Sequence, residues 1–169
     1  VRYADLARDL KEVYSGQPEG YLKSFEVPSS SAILPPPPQP GSAAMDLDLE
    51  ISEMYLQSGD TKRWHQAQID ANLDFPVSID TFALVLNTEI SLESAPYLYL
   101  LLNRVVADAS ASTAAGKVFF KRTRPFLVNN QPTCDPESES YLQTSGAYPS
   151  GHAAIGWTWA LILSELFPD

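Results

Sequence analysis

The chain has 169 residues, the length of one compact domain or of part of a larger one. Apolar residues make up 44% and charged residues 19%, so the chain is expected to fold. The formal net charge is −10, which argues against a general nucleic-acid partner because such proteins need a basic surface. With Cys134 as its one cysteine, the chain cannot form an internal disulfide or a zinc site built from several cysteines.

The N-terminal part predicts an arm rather than a packed domain. A short helix is expected over Tyr3–Tyr14. The segment 28–41 is rich in proline, which fixes φ and removes backbone donors, so an extended or polyproline conformation is expected there. We therefore predict an N-terminal arm over residues 1–41 and a helical core over residues 42–169.

Helical patterns dominate the rest of the chain. In the first of them, acidic residues share a different face from that of Leu47, Ile51 and Met54, and we interpret the acidic face as a solvated surface rather than a metal site. Residues 126–148 are polar and predict a loop. The helices expected are one from Ser42, then Thr61–Asn72, Ile79–Ile90, one from Leu92 or Ala95 to about Lys121, and a last one from about Ser150 that includes the apolar run Ala153–Phe167.

The predicted fold class is all-α, a compact multi-helix bundle, because no segment alternates with period two. The last helix is so apolar that it needs cover on most sides, yet only Pro168 and Asp169 follow it. We therefore expect this sequence to be the N-terminal part of a larger helical domain, truncated at its C-terminus. No apolar stretch reaches the roughly 20 residues that cross a bilayer, so no membrane partner is expected.

The segment from Lys117 to Pro125 concentrates positive charge in an acidic chain. It holds four of the 11 basic residues within eight positions. Pro125 biases Arg124 towards an extended backbone, where its guanidinium could bind a phosphate or carboxylate through two hydrogen bonds. Lys117 would add a point charge from another direction. Taken alone, this segment is better explained as an ordinary basic helix end that offsets the helix dipole.

The second segment is Tyr148-Pro149-Ser150-Gly151-His152, directly before the last helix. Ser150 is a good N-cap residue, and Gly151 permits close approach of a ligand to the backbone. The N–H groups of a first helical turn favour anions, and His152 would lie beside such an anion and could donate a proton to a leaving group. A capped helix with a surface histidine explains these residues equally well.

Together the two segments are more specific than either alone. Lys-x6-Arg-Pro followed by Pro-Ser-Gly-His resembles the first two motif blocks of the acid phosphatase superfamily that includes type 2 phosphatidate phosphatases and vanadium haloperoxidases. The proline tract from Leu34 to Pro38 and the run from Gly146 to His152 are most similar to the bacterial class A nonspecific acid phosphatases.

The resemblance implies roles for individual residues. Lys117 and Arg124 match the phosphate-binding residues of the first block, and Ser150 and Gly151 match groups of the second block that bind phosphate oxygens. His152 matches the catalytic histidine that protonates the leaving alcohol. No metal or other cofactor is expected, because the phosphatase branch is metal-independent.

One part of the family pattern does not occur in this sequence. The third block, Ser-Arg-x5-His-x3-Asp, supplies the nucleophilic histidine and lies C-terminal to the second block. His65 precedes both blocks and lacks the Arg and Asp context, so we interpret it as a surface or partly packed residue. We expect this 169-residue chain alone to be inactive.

The resemblance predicts that the intact protein hydrolyses phosphate monoesters through a phosphohistidine intermediate and releases inorganic phosphate. It also predicts a periplasmic or secreted location. Two alternatives stay open: a vanadium-dependent haloperoxidase-like enzyme, and an inactive phosphate-binding fragment that needs a second chain. The protein partners considered are a second copy of the chain, as a homo-oligomer, and a companion chain that carries the third block. A homo-oligomer would cover the apolar helices, and the missing C-terminal part would cover them equally well.

Overall fold

The computed structural model describes residues 18–57, 59 and 61–168. The helix expected over Tyr3–Tyr14 lies outside these residues. Over the described ranges the backbone forms α-helices and 3-10 helices but no β-strand, which confirms the all-α fold class.

Two compact units make up the described chain. The first unit comprises residues 18–28, 73–112 and 151–168, and the second unit comprises residues 29–72 and 113–150. Short 3-10 helices cover Val77–Ile79 and Pro136–Ser138. The α-helices in chain order are α1 (Ser30–Ile33), α2 (Ala43–Leu56), α3 (Lys62–Ala71), α4 (Asp80–Val85), α5 (Pro96–Phe120), α6 (Pro125–Asn129), α7 (Glu139–Leu142) and α8 (Gly151–Leu166).

The start of α2 and the start of α3 are fixed by side-chain caps. The Ser42 hydroxyl accepts a hydrogen bond from the Met45 N–H, and the Thr61 hydroxyl accepts one from the Trp64 N–H, each at 3.2 Å. These bonds satisfy backbone donors that have no partner within a first helical turn. Both helices are confirmed close to their predicted bounds.

Three predicted segments differ from the structure. The proline-rich arm contains the single helical turn α1, although residues 35–39 after it form no regular element. The helix predicted over Ile79–Ile90 ends at Val85, where Asn87 adopts a left-handed backbone (φ 49°) that a helix cannot continue through. The loop predicted over 126–148 contains α6, α7 and a 3-10 turn, which are too short to show helical periodicity in a sequence.

An apolar cluster forms the core of the first unit. Trp159 of α8 is central to it, because its indole N–H donates to the Leu102 carbonyl at 2.9 Å. Its ring also packs edge-on against Phe75 and Phe82. The buried members of the cluster are Ile79, Ile90, Leu102, Val105, Ala109, Ile155, Trp159 and Leu163.

The described helices do not meet the requirements of a membrane span. None of them, within the part of the chain that the structure describes, combines enough length with enough apolar character to cross a bilayer.

Candidate functional site

Lys117 and Arg124 direct their side chains at the same short piece of backbone in the second unit. Lys117 lies in the last turn of α5, and its Nζ donates to the Gly146 carbonyl at 3.0 Å. Arg124 directly precedes α6 with the extended backbone that its following proline favours (ψ 142°), and its Nε donates to the Ser145 carbonyl at 3.0 Å. The two cations are thus held by two consecutive carbonyl groups.

A tight turn after α5 makes this arrangement. Lys121 has a left-handed backbone (φ 47°), and its N–H closes the last helical bond to the Lys117 carbonyl at 3.1 Å. One residue later the Arg122 carbonyl accepts from the Ala147 N–H at 2.8 Å. The backbone of residues 145–147 is therefore held by hydrogen bonds alongside the end of α5 and the turn after it.

Gly146 is required by this close approach. A Cβ atom added there would lie 2.6 Å from the Lys117 carbonyl oxygen, much closer than such atoms come in proteins. The Gly146 carbonyl accepts a hydrogen bond from the Lys117 ammonium, and the Gly146 backbone also lies against the Lys117 carbonyl. Only glycine, which has no Cβ, permits both contacts.

These residues border a cleft of about 600 Å³ in the second unit. Its lining contains four cationic side chains and no carboxylate, although the whole chain has a net charge of −10. Such a cleft suits an anionic ligand. The lining residues are Ala114, Lys117, Val118, Lys121, Arg122, Thr123, Arg124, Leu127, Gln143, Thr144, Ser145 and Gly146.

Arg122 has a structural partner in addition to its place in the cleft. Its guanidinium forms an ion pair with Asp48 of α2, so α2 and the turn after α5 are held together by opposite charges. Arg122 belongs to the basic segment from Lys117 to Pro125, but nothing in the sequence indicates its pairing with Asp48.

Burial in the cleft lowers the pKa of Lys117 and of Arg124. Burial disfavours the charged form of Lys117 and lowers its pKa below the ordinary value of 10.5, and neighbouring Arg124 lowers the pKa further. Burial also lowers the pKa of Arg124, while Tyr141 opposes that change. An anion bound beside these groups would reverse the penalty by favouring their charged forms.

The end of the second unit packs against α5. The Tyr148 ring contacts Phe120 edge-on with centroids 5.3 Å apart, and its hydroxyl donates to the Pro35 carbonyl at 3.0 Å. Near them the Gly116 N–H donates to the Ser30 hydroxyl at 2.8 Å, and a Cβ on Gly116 would lie 2.7 Å from Pro149.

The other predicted site residues, Ser150, Gly151 and His152, lie at the start of α8. Helix α8 begins at Gly151, as expected; Ser150 is the last residue of the second unit, and Gly151 and His152 belong to the first unit. The side chains of Ser150 and His152 are exposed. Ser150 is not among the residues that line the cleft, so the structure brings together Lys117 and Arg124 of the predicted set. The roles of Ser150, Gly151 and His152 stay predictions.

His65 and the acidic residues of α2 are not grouped as metal ligands in the described part of the chain. His65 lies exposed on α3 with its Nδ1 3.2 Å from the Gln68 amide oxygen, in keeping with a surface histidine. Over residues 18–57, 59 and 61–168, no group of three or more His, Cys, Asp or Glu side chains is arranged to hold a metal ion.

Sequence reasoning missed the residues that position the two cations. Ser145 falls within the predicted loop and Gly146 was noted only as the start of a family-like run, yet their carbonyls accept from Arg124 and Lys117. A glycine immediately before the Ala-Tyr-Pro-Ser-Gly-His run was the available signal.

Comparisons with known proteins show which proteins this chain is similar to. Residues 96–169 match the family model of the PAP2 superfamily, a range that contains α5, the cleft and α8.

The particular relatives are phosphatases. The chain is 36% identical over 150 residues to a non-specific acid phosphatase of Providencia stuartii, covering 88% of this chain and 60% of that protein. It is 35% identical over 142 residues to the non-specific acid phosphatase of Salmonella typhimurium, covering 83% and 57%. An acid phosphatase of Zymomonas mobilis is 33% identical over 136 residues, covering 80% and 52%.

These matches confirm the resemblance inferred from the sequence, and the chain is related to the non-specific acid phosphatases. The chain spans between 52% and 60% of the length of these three relatives.

Proposed function

We propose that the intact protein is an acid phosphatase that hydrolyses phosphate monoesters. The observation that carries the proposal is the convergence of Lys117 and Arg124 in a cleft without carboxylates. A phosphate monoester carries a charge of about −1.5 to −2 near neutral pH, which two cations balance. The names of the related proteins support the same activity.

In the proposed reaction, Lys117 and Arg124 hold the non-bridging oxygens of the phosphoryl group. Arg124 supplies a planar pair of donors and Lys117 a point charge. Both stabilise the charge that spreads over these oxygens as the group is transferred. Ser150 and the backbone at Gly151 add hydrogen-bond donors at the start of α8, where N–H groups of the first turn favour anions.

His152 is proposed as the general acid. The family resemblance implies that a histidine attacks phosphorus, that the bond from phosphorus to the ester oxygen breaks, and that His152 protonates the departing oxygen. Water then hydrolyses the phosphohistidine and releases inorganic phosphate. The attacking histidine belongs to the Ser-Arg-x5-His-x3-Asp block, which this sequence does not contain.

The location and assembly of the protein are also proposals. We infer a periplasmic or secreted protein from the resemblance to class A enzymes. A homo-oligomer or a companion chain remains a proposal that sedimentation of the intact protein would test.

The test uses the intact protein and p-nitrophenyl phosphate. Replacing His152 by alanine should lower kcat by about 10²–10⁴-fold, because a positioned acid contributes that much. Inorganic phosphate should still raise the melting temperature of the variant, because Lys117 and Arg124 remain. The matched control is His65→Ala, which removes the other histidine of this sequence and should leave kcat unchanged.

Two results would overturn the proposal. Normal turnover by His152→Ala would remove the assignment of the acid. Absence of phosphatase activity in the wild-type protein, together with vanadate-dependent oxidation of halide by peroxide, would indicate a haloperoxidase instead.

A further inference from the structure

We propose that Lys121 binds a second anionic group of the substrate, so that the cleft favours phosphate monoesters that carry another phosphoryl or carboxylate group. The inference rests on the proposed function for the first group and adds a substrate class to it. Lys121 lines the same cleft as Lys117 and Arg124.

The contacts of the four cations distinguish Lys121 from the others. Lys117 donates to the Gly146 carbonyl and Arg124 to the Ser145 carbonyl. Arg122 is paired with Asp48. Among the residues that the structure describes, the Lys121 ammonium has neither a hydrogen bond nor an ion pair, and its side chain is exposed.

The backbone beneath Lys121 is fixed even though its side chain is not engaged. Its N–H donates to the Lys117 carbonyl at 3.1 Å, and the next carbonyl, that of Arg122, accepts from Ala147 at 2.8 Å. With φ at 47°, the residue occupies a conformation that lysine adopts infrequently. The turn therefore presents a flexible cation from a fixed base at the edge of the cleft.

Charge and space both leave room for a second group. Lys117 and Arg124 already balance one phosphate dianion, so the charge of Lys121 is available for another group. The cleft volume of about 600 Å³ lies in the range of small-molecule sites, well above what one phosphoryl group needs. Thr123, Gln143 and Thr144 line the cleft with neutral polar side chains, and no lining carboxylate competes for the ammonium.

The test compares two ligands that differ by one anionic group, methylphosphonate and methylenediphosphonate, and neither is a substrate for hydrolysis. Binding is measured by calorimetry on the intact protein, on Lys121→Asn and on Lys121→Arg. Asparagine removes the charge and tolerates the left-handed backbone, so the turn should be retained. The control Lys62→Gln makes the same change in net charge at an exposed lysine of α3 that does not line the cleft.

We expect the wild-type protein to bind the diphosphonate more tightly than the monophosphonate. Lys121→Asn should weaken diphosphonate binding by roughly fivefold, the upper range for an exposed ion pair, and change monophosphonate binding by less than about twofold. Lys121→Arg should keep the wild-type preference, as should Lys62→Gln. An unchanged preference in Lys121→Asn, or an equal loss for both ligands, would overturn the inference.

Turnover separates this inference from the proposed function. The kcat/KM for 4-carboxyphenyl phosphate should fall in Lys121→Asn, while the kcat/KM for phenyl phosphate should stay within about twofold of wild type. If neither compound is hydrolysed by any form of the protein, the proposed function fails. The preference for the diphosphonate over the monophosphonate, measured by calorimetry, still decides whether Lys121 binds a second anionic group.

Discussion

The two units are stabilised in different ways. In the part of the chain that the structure describes, every buried hydrophobic side chain lies in the first unit, around Trp159 and its neighbours. The buried residues of the second unit are Ser30, Thr113 and Gly116, two of which form the hydrogen bond between α1 and α5. Polar contacts join the segments of the second unit. Examples are the Arg122–Asp48 ion pair and the hydrogen bonds to the Ser145 and Gly146 carbonyls.

This difference is informative because the cationic cleft lies in the second unit. A hydrophobic core is non-directional and gives most of the stability of a fold, whereas hydrogen bonds and ion pairs contribute less but set orientation. The residues that carry charge are therefore placed by directional contacts. Substitutions in the two units should accordingly affect stability and ligand binding in different proportions.

The largest effect on stability is expected from Trp159→Ala in the first unit. The substitution removes a side chain that is 3% exposed, together with its hydrogen bond to Leu102. We expect the free energy of unfolding to fall by about 3–5 kcal/mol, as for other buried aromatic residues. Chemical denaturation monitored by circular dichroism measures the change.

Trp157→Ala is the matched control on the same helix. Trp157 is 68% exposed, so its removal should change the free energy of unfolding by less than about 0.5 kcal/mol. Equal losses in the two variants would contradict the assignment of the core to one face of α8.

A smaller effect is expected from Gly116→Ala in the second unit. The added Cβ would lie 2.7 Å from Pro149 and 3.0 Å from the Ser30 hydroxyl, so the contact among α1, α5 and the Tyr148 segment must open. We expect a loss of about 1–3 kcal/mol, the usual cost of overpacking. Thermal and chemical unfolding would both record it.

Gly156→Ala separates this clash from helix propensity. Gly156 also lies within a helix, but nothing stands within 4 Å of a Cβ placed there. Alanine should raise the free energy of unfolding by about 0.5–1 kcal/mol. If Gly116→Ala were stabilising as well, the close packing described for the second unit would be wrong.

Apart from the control substitutions, the smallest effect on stability is expected from Lys117→Met, combined with a large effect on binding. Burial lowers the pKa of Lys117, so the folded protein gains little from its charge, and the free energy of unfolding should change by less than about 1 kcal/mol. Orthophosphate binding should weaken at least about tenfold, because a charged hydrogen bond is lost. Denaturation and calorimetry on the same samples give both values.

The lowered pKa of Lys117 also predicts how orthophosphate binding depends on pH. As pH rises through the lowered pKa, Lys117 loses its proton and the positive charge disappears, so orthophosphate binding should decline at a pH below that of an ordinary lysine. In Lys117→Arg the charge persists, because arginine does not deprotonate in this range, and the alkaline decline should be reduced. Identical alkaline profiles for wild type and Lys117→Arg would show that another group controls binding.

The helices could be predicted where the sequence contained either a cap or a long apolar period. Ser42 and Thr61 marked the starts of α2 and α3, and the apolar runs marked α5 and α8. The short helices α1, α6 and α7 could not be predicted, because four or five residues are too few to show a helical period. The early end of α4 at Val85 depends on the backbone of Asn87, which apolar spacing does not reveal.

The candidate site could be predicted only in part, for a related reason. Lys117 and Arg124 stand out as charges in an acidic chain, and Pro125 gives the extended backbone of Arg124. The carbonyls that accept from them, of Gly146 and Ser145 respectively, lie more than twenty residues later, in residues that have no charge or helical period of their own. Likewise, the sequence does not show that the Lys121 ammonium lacks a partner among the described residues, because this depends on the partners of its neighbours.

The hydrogen bond between Tyr148 and the Pro35 carbonyl has a consequence for chain entropy. A run of prolines has few accessible conformations even before folding, so the tract loses little freedom when that bond forms. Replacing Pro36, Pro37 and Pro38 by glycine would leave both bonded groups in place and still weaken their bond, because the unfolded chain would gain alternatives. The proline tract therefore restrains Tyr148, two residues before Ser150, at a small cost in conformational entropy.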